Sequence, residues 1–196
     1  MTPASQLSTK TDPAPTASLG ISAHLRRLVL TGFMGAGKST IGRLLASRVD
    51  WSFLDLDTHL EQRAGATIPE IFALHGEARF RRLESTALAS ALTHRSTVIA
   101  LGGGTPESLT NRLLLEQTPA TFTIFLDAPF PTLFDRCILQ DTPRPVLADP
   151  ETALTRYTTR HPLYKRLAGL TIDTATLTTD ETVDALLAAF TTHPRP

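Results

Sequence analysis

The sequence predicts an α/β fold in which a parallel sheet lies between helices on both faces. Two observations carry that expectation. Short apolar runs at 28–30, 98–101 and 122–126 alternate with longer segments whose apolar residues recur at helical spacing. Two glycine-rich stretches, 32–37 and 102–104, follow directly on two of those runs. That is the carboxyl edge, where open parallel sheets bind ligands.

The elements follow in order. Leu28, Val29 and Leu30 form a buried strand that stops at Gly32. A helix starts near Lys38 and continues through Ile41, Leu44, Leu45 and Val49. Phe53 to Asp55 reads as a second strand, followed by helical pieces at 58–64, 69–74 and 77–92. Pro69 suits a first helical turn, where its missing N–H costs nothing. The strand at 98–101 is stopped by three glycines, and 106–116 reads as one helix. A strand at 122–126 leads to a helix at 129–139. The helix at 151–168 is expected to be interrupted near Pro162. A last strand at 170–172 and a helix at 182–190 complete the pattern.

Composition narrows the function classes. The chain has 196 residues, which suits one compact domain plus a tail. Nineteen Lys and Arg balance nineteen Asp and Glu, so no overall field draws nucleic acid or a membrane surface. No apolar run approaches the ~18 residues of a membrane span, and no secretory leader is apparent. A soluble, cytoplasmic protein is the expectation, with a monomer as the default state. The single cysteine, Cys137, excludes an internal disulfide and reads as a small buried residue. The six histidines show no metal-ligand spacing and read as structural or solvated. Residues 1–24 are rich in Pro, Ser, Thr and Ala and read as a disordered tail before a single domain at 25–192.

Gly32-Phe33-Met34-Gly35-Ala36-Gly37-Lys38-Ser39 fits G-x-x-x-x-G-K-[ST], with an apolar strand before it and a helix after. The glycines let the backbone turn its N–H groups onto phosphate oxygens, and the helix N-terminus adds a favourable dipole. Lys38 can reach the β- and γ-phosphates, and the Ser39 hydroxyl can ligate Mg²⁺. The pattern specifies nucleotide phosphate binding and leaves the acceptor open.

Asp55 and Asp57 close the second strand two residues apart, a spacing that places both on one face of a strand. One can support Mg²⁺ through water and the other can accept a hydrogen bond from an attacking hydroxyl. Asp57 as a helix N-cap is the competing reading. Arg81 and Arg82 sit side by side in a helix, so at most one faces a site squarely. That one could grip a carboxylate in bidentate fashion, or the pair could simply be solvated. Gly102, Gly103 and Gly104 permit close approach of a ligand to backbone. Arg144, between Pro143 and Pro145 in a polar stretch, could swing over a site and meet a transferring phosphate. Arg160 could face the site or cap a helix end.

Together these segments resemble the shikimate kinases, from about residue 28 to 190. The likeness rests on the glycine-rich loop through Thr40, Asp55-Leu56-Asp57, and Gly76-Glu77 with Phe80-Arg81-Arg82-Leu83-Glu84. It continues in Ala100-Leu101-Gly102-Gly103-Gly104, Arg144-Pro145-Val146-Leu147 and Arg160-His161-Pro162-Leu163-Tyr164. The resemblance implies a three-layer P-loop kinase fold with a five-stranded parallel sheet and a mobile lid at about 136–152. It implies transfer of the γ-phosphate of ATP to the 3-hydroxyl of shikimate, with Mg²⁺. Gly35, Ala36, Gly37, Lys38, Ser39 and Thr40 would wrap the ATP phosphates, and Ser39 with Asp55 would support the metal. Lys38, Asp57 and Arg144 would be catalytic. Asp57, Arg81, Gly102, Gly103, Gly104 and Arg160 would hold shikimate, and Asp173-Thr174 would lie beside the adenine. Cys137 stands where many members carry an arginine, with Arg136 as its neighbouring substitute, and the lid looks a few residues short. A gluconate kinase would share the loop and the fold but would not need two arginines and a triple glycine in this order. A catalytically silent binding module would be expected to have lost Lys38, Asp57 or Arg144, and all three are present.

Overall fold

The computed structural model describes residues 24–139 and 149–192. Five strands form one parallel sheet: β1 (Arg27–Thr31), β2 (Ser52–Asp55), β3 (Thr97–Ala100), β4 (Thr121–Asp127) and β5 (Leu170–Asp173). Their spatial order is β2-β3-β1-β4-β5. The central strand β1 pairs with β3 on one side and β4 on the other, Leu28 lying opposite Val98 and Phe122. The chain leaves β1 to one side and later returns to the other, so a crevice opens at the carboxyl end of β1.

Among the described residues seven α-helices cover the sheet: α1 (Lys38–Arg48), α2 (Leu56–Ala64), α3 (Ile68–Ala91), α4 (Leu109–Gln117), α5 (Phe130–Leu139), α6 (Pro150–Leu167) and α7 (Thr179–Thr192). Alternation along β1 sends successive side chains into different layers. Leu28 and Leu30 join Ile41 and Leu45 of α1 and Val183 and Leu186 of α7. Val29 joins Leu56 and Leu60 of α2, Leu88 of α3 and Leu115 of α4. These two apolar clusters, one on each sheet face, are the driving force for the three-layer arrangement.

Local chemistry sets the helix ends. Thr67 and Glu70 form a reciprocal capping box at the start of α3, with Pro69 in its first turn. Gly76 interrupts α3 at φ 71°, so the pieces expected at 69–74 and 77–92 are two arms of one kinked helix. Thr178 and Glu181 exchange bonds in the same way ahead of α7, which therefore starts earlier than the periodicity suggested.

Two expectations are corrected. The helix expected at 106–116 is a 3₁₀ turn at Thr105–Glu107 followed by α4, because Ser108 is extended (φ −73°, ψ 124°) and resets the chain. The interruption expected at Pro162 is absent, and α6 runs through it. Proline removes one backbone bond there, but Arg160 and Tyr164 are buried on either side, and that packing holds both halves in one helix. All but the last residue of the tail expected at 1–24, and most of the lid, including Arg144, lie outside the described residues. Among the described residues no helix is long and apolar enough to cross a membrane.

Candidate active site

The glycine-rich loop joins β1 to α1. Gly37 caps α1 at φ 81°, a left-handed conformation that costs a glycine little. Gly35 is also left-handed, at φ 78°, and lies against α5: a Cβ there would meet the Leu133 carbonyl oxygen and would sit 2.9 Å from Cys137 Sγ. Lys38 Nζ donates to the carbonyls of Gly32 at 2.9 Å and Phe33 at 3.0 Å. The ammonium is thereby folded over the loop whose N–H groups it accompanies.

Asp55 and Asp57 come together, though not through strand alternation as expected. β2 ends at Asp55, and Asp57 already belongs to the first turn of α2. Asp55, not Asp57, is the N-cap: its Oδ1 accepts from the N–H of Asp57 at 3.1 Å and of Thr58 at 3.4 Å. Its other oxygen accepts from Ser39 Oγ at 2.6 Å. One carboxylate therefore ties the glycine-rich loop to the start of α2. Asp57 is left facing the site. Burial, reinforced by the charge of Asp55, pushes its pKa from 3.8 up to about 6, against the opposing pull of Lys38. A carboxylate poised near neutrality in a cleft suits a general base.

The three glycines after β3 are a meeting place. A Cβ on Gly102 would stand 2.6 Å from Asp57 Oδ1. One on Gly103 would be 3.7 Å from Arg160 Nη1, and one on Gly104 would be 2.8 Å from Arg81 Nη1. Side chains from α2, α3 and α6 thus converge on one strip of bare backbone. Tyr164 supports it from behind, donating its hydroxyl to the Gly103 carbonyl at 2.6 Å. Burial raises the Tyr164 pKa, which keeps that hydroxyl a donor.

Of the adjacent arginines, Arg81 faces the site and Arg82 is exposed. Arg81 Nη1 donates to Glu84 at 3.0 Å, its Nε and Nη2 reach Glu77, and Nη2 also reaches Glu107 at 3.2 Å. Glu84 is buried and accepts from Thr105 Oγ1 at 2.8 Å, so the guanidinium is anchored from below. Its pKa is raised: burial opposes the charge, but Glu84, Glu77 and Glu107 outweigh it. Arg160, 9% exposed, donates from Nη2 to the same Glu107 oxygen at 3.0 Å. The sequence reading missed Glu107 and the anchoring by Glu84. The second was signalled by a carboxylate three residues beyond Arg81 on a helix; the first required knowing that the chain breaks at Ser108.

On the other side of the glycine-rich loop, Arg136 donates to the Thr174 carbonyl at 2.6 Å and reaches Thr174 Oγ1 at 3.3 Å. Cys137 is buried, as expected. Arg136 thus meets the turn after β5. His161 Nε2 lies 3.1 Å from an Asp127 oxygen and packs edge-on against Phe125, and His59 lies 3.3 Å from Ser90 Oγ. Among the described residues no group of three or more His, Cys, Asp or Glu side chains is placed to hold a metal ion.

A parallel sheet in this order, a phosphate-binding loop opening α1 and a raised-pKa carboxylate across the cleft define a small P-loop kinase. The family model described as shikimate kinase matches residues 34–191, and the chain belongs to the shikimate kinase family. The shikimate kinase of Bordetella avium (strain 197N) is 41% identical over 167 residues, covering 84% of this chain and 78% of its own. That of Geobacter sulfurreducens is 38% identical over 181 residues, covering 91% and 98%. Among solved structures, shikimate kinase from Acinetobacter baumannii in complex with shikimate superposes with a TM-score of 0.79 at 33% identity, covering 86% of this chain and 94% of that one. A gluconokinase from Sinorhizobium meliloti, at 18% identity and a TM-score of 0.58, shares the fold alone.

Proposed function

We propose that this chain transfers the γ-phosphate of ATP to the 3-hydroxyl of shikimate, giving shikimate 3-phosphate and ADP. The observation that carries the reading is the convergence of Asp57, Arg81 and Arg160 on the glycines at 102–104. A cyclic acid carrying hydroxyls needs a guanidinium pair for its carboxylate and a hydrogen-bond acceptor for the reacting hydroxyl, and both are offered across one short strip of backbone.

In this reading Gly35, Ala36, Gly37, Lys38, Ser39 and Thr40 wrap the ATP phosphates. Arg81 and Arg160 hold the acceptor's carboxylate, and Gly103 touches it through its backbone. Asp57 orients the attacking hydroxyl and accepts its proton as the new O–P bond forms, and its raised pKa makes it a stronger base than an ordinary carboxylate while leaving it ionised at neutral pH. Lys38 offsets charge on the transferring phosphoryl group, and Arg144 joins it from the lid segment. Ser39 Oγ and Asp55, in contact at 2.6 Å, are an oxygen pair of the kind a hard divalent cation takes directly or through water. Mg²⁺ held there would neutralise charge on the phosphates. Arg136 and Thr174 border the adenine end. We place the enzyme in the cytoplasm, acting as a monomer on freely diffusing substrates.

The test is ADP release by the purified chain with ATP and Mg²⁺, comparing shikimate with gluconate. Strong stimulation by shikimate alone is expected. Stimulation by gluconate instead, or by neither, would reject the reading.

A further inference from the structure

We propose that Glu107 is an internal placeholder for the acceptor's carboxylate: it bridges Arg81 and Arg160, must swing aside when the acceptor binds, and thereby sets which carboxylates the site accepts. The proposal rests on the acceptor reading above.

One oxygen, Glu107 Oε2, accepts from Arg81 Nη2 at 3.2 Å and from Arg160 Nη2 at 3.0 Å. A carboxylate held between these two Nη2 groups needs the N–H groups that Glu107 occupies. Arg81 has no complete free fork to offer: Nε and one N–H of Nη2 go to Glu77, one N–H of Nη1 goes to Glu84, and a single N–H of Nη1 is left over.

Charge points the same way. Two guanidiniums here face three carboxylates, Glu77, Glu84 and Glu107. An incoming carboxylate would meet a surplus of negative charge in a partly buried place, where repulsion is poorly screened. Displacing one glutamate removes that conflict. Glu84 cannot be the one, since its side chain is 2% exposed and it also accepts from Thr105. Glu77 is bonded to Arg81 but not to Arg160. Glu107 touches both arginines, and its side chain is 33% exposed, with solvent to swing into.

The movement needs only side-chain rotation. The Glu107 N–H donates to the Gly104 carbonyl at 3.0 Å. Arg112 Nη1 donates to the carbonyls of Pro106 at 2.6 Å and Glu107 at 3.0 Å. The backbone is therefore pinned independently of the carboxylate.

An internal competitor lowers the apparent affinity of every carboxylate for the arginine pair, by the fraction of molecules in which Glu107 stays in place. An acceptor whose hydroxyls also reach Asp57 and the glycine strip recovers that loss through added contacts. A simple carboxylate does not. The result is selectivity through a repulsive and occupying element rather than a tighter grip.

The experiment uses the full chain and its Glu107→Gln and Glu107→Ala variants, with thermal melts to confirm folding. Shikimate Kd by calorimetry is expected to fall roughly three- to tenfold in both variants, with the ATP KM unmoved. Acetate, a bare carboxylate probe, is expected to compete with shikimate at lower concentration in the variants than in the wild type. An unchanged or higher shikimate Kd would overturn the proposal, a rise meaning that Glu107 supports the arginines or touches the acceptor. Shikimate-dependent turnover of the wild type tests the acceptor reading separately. If that fails, direct acetate titration still decides whether Glu107 guards the arginine pair: equal acetate affinity in all three chains would sink it.

Discussion

The two ends of the cleft are made of different material. At the glycine-rich end, one contiguous run of eight residues carries a single lysine, and left-handed glycines hold its shape. At the arginine end, groups from α2, α3, the 102–104 turn, the 3₁₀ turn and α6 meet through charged side chains, with Glu84 and Glu107 between them. In the proposed reading the backbone cradle takes the phosphates that every nucleotide shares, while the side-chain assembly, which single substitutions can re-specify, would supply selectivity for the acceptor.

The difference predicts how each end fails. The largest effect is expected at the carboxylate between them. Asp57→Asn should lower kcat by about 10²–10⁴-fold, the range for removing a general base, while ATP still binds. Comparable turnover in the mutant would remove Asp57 from the mechanism. Next comes Arg160→Ala. Losing one charge-assisted pair, worth roughly 1.5–3 kcal/mol, should raise the shikimate KM about 10- to 100-fold and leave the ATP KM unmoved. An unchanged shikimate KM would make Arg160 a structural residue of α6.

A pair of glycine substitutions sharpens the contrast. Gly35→Ala forces a side chain into a left-handed position against the Leu133 carbonyl. Backbone cannot yield cheaply there, so a stability loss of about 1–3 kcal/mol is expected, with weaker ATP binding. In Gly104→Ala the new Cβ meets Arg81 Nη1 at 2.8 Å and Glu107 Oε2 at 2.9 Å, both ends of flexible chains, and φ is an ordinary −94°. Only the shikimate KM should rise, by a few-fold, with the melting temperature nearly unchanged. Equal thermal losses in both variants would show that the two ends do not differ in this way.

The same contrast explains what could be read from sequence. The glycine-rich loop is contiguous, so its spacing alone placed Lys38 and Ser39. The five-stranded sheet followed from apolar runs that the core needs on both faces. The arginine end was legible only in parts. Arg81, Arg160 and the three glycines stood out as residue types, but their meeting depends on where chains turn. Thr105-Pro106-Glu107-Ser108 looks like the opening of a helix, with proline and an acidic residue in its first turn, and the extended Ser108 that turns Glu107 toward the arginines is a tertiary result. Asp55 and Asp57 were paired correctly but for the wrong reason, since the strand yields to a helix at Leu56. N-capping by Asp55 won over strand extension.

The smallest expected effect concerns what Asp57 costs the fold. Its carboxyl is raised from 3.8 to about 6, first by burial and then by the neighbouring Asp55. The folded state therefore holds a proton that the unfolded state releases between those two values. By linkage, stability falls as pH rises through that window, and the full penalty stands above it. A shift of this size corresponds to an upper bound of about 3 kcal/mol. Asparagine keeps the shape without the charge, so Asp57→Asn should melt higher than the wild type at pH 7.5, by about 1–3 kcal/mol, with the gain vanishing near pH 4. The wild-type kcat/KM should in turn drop tenfold per unit below pH 6, as the base is protonated. A melting advantage that persists unchanged at pH 4 would mean that asparagine acts through packing, and that the strain at Asp57 is not electrostatic.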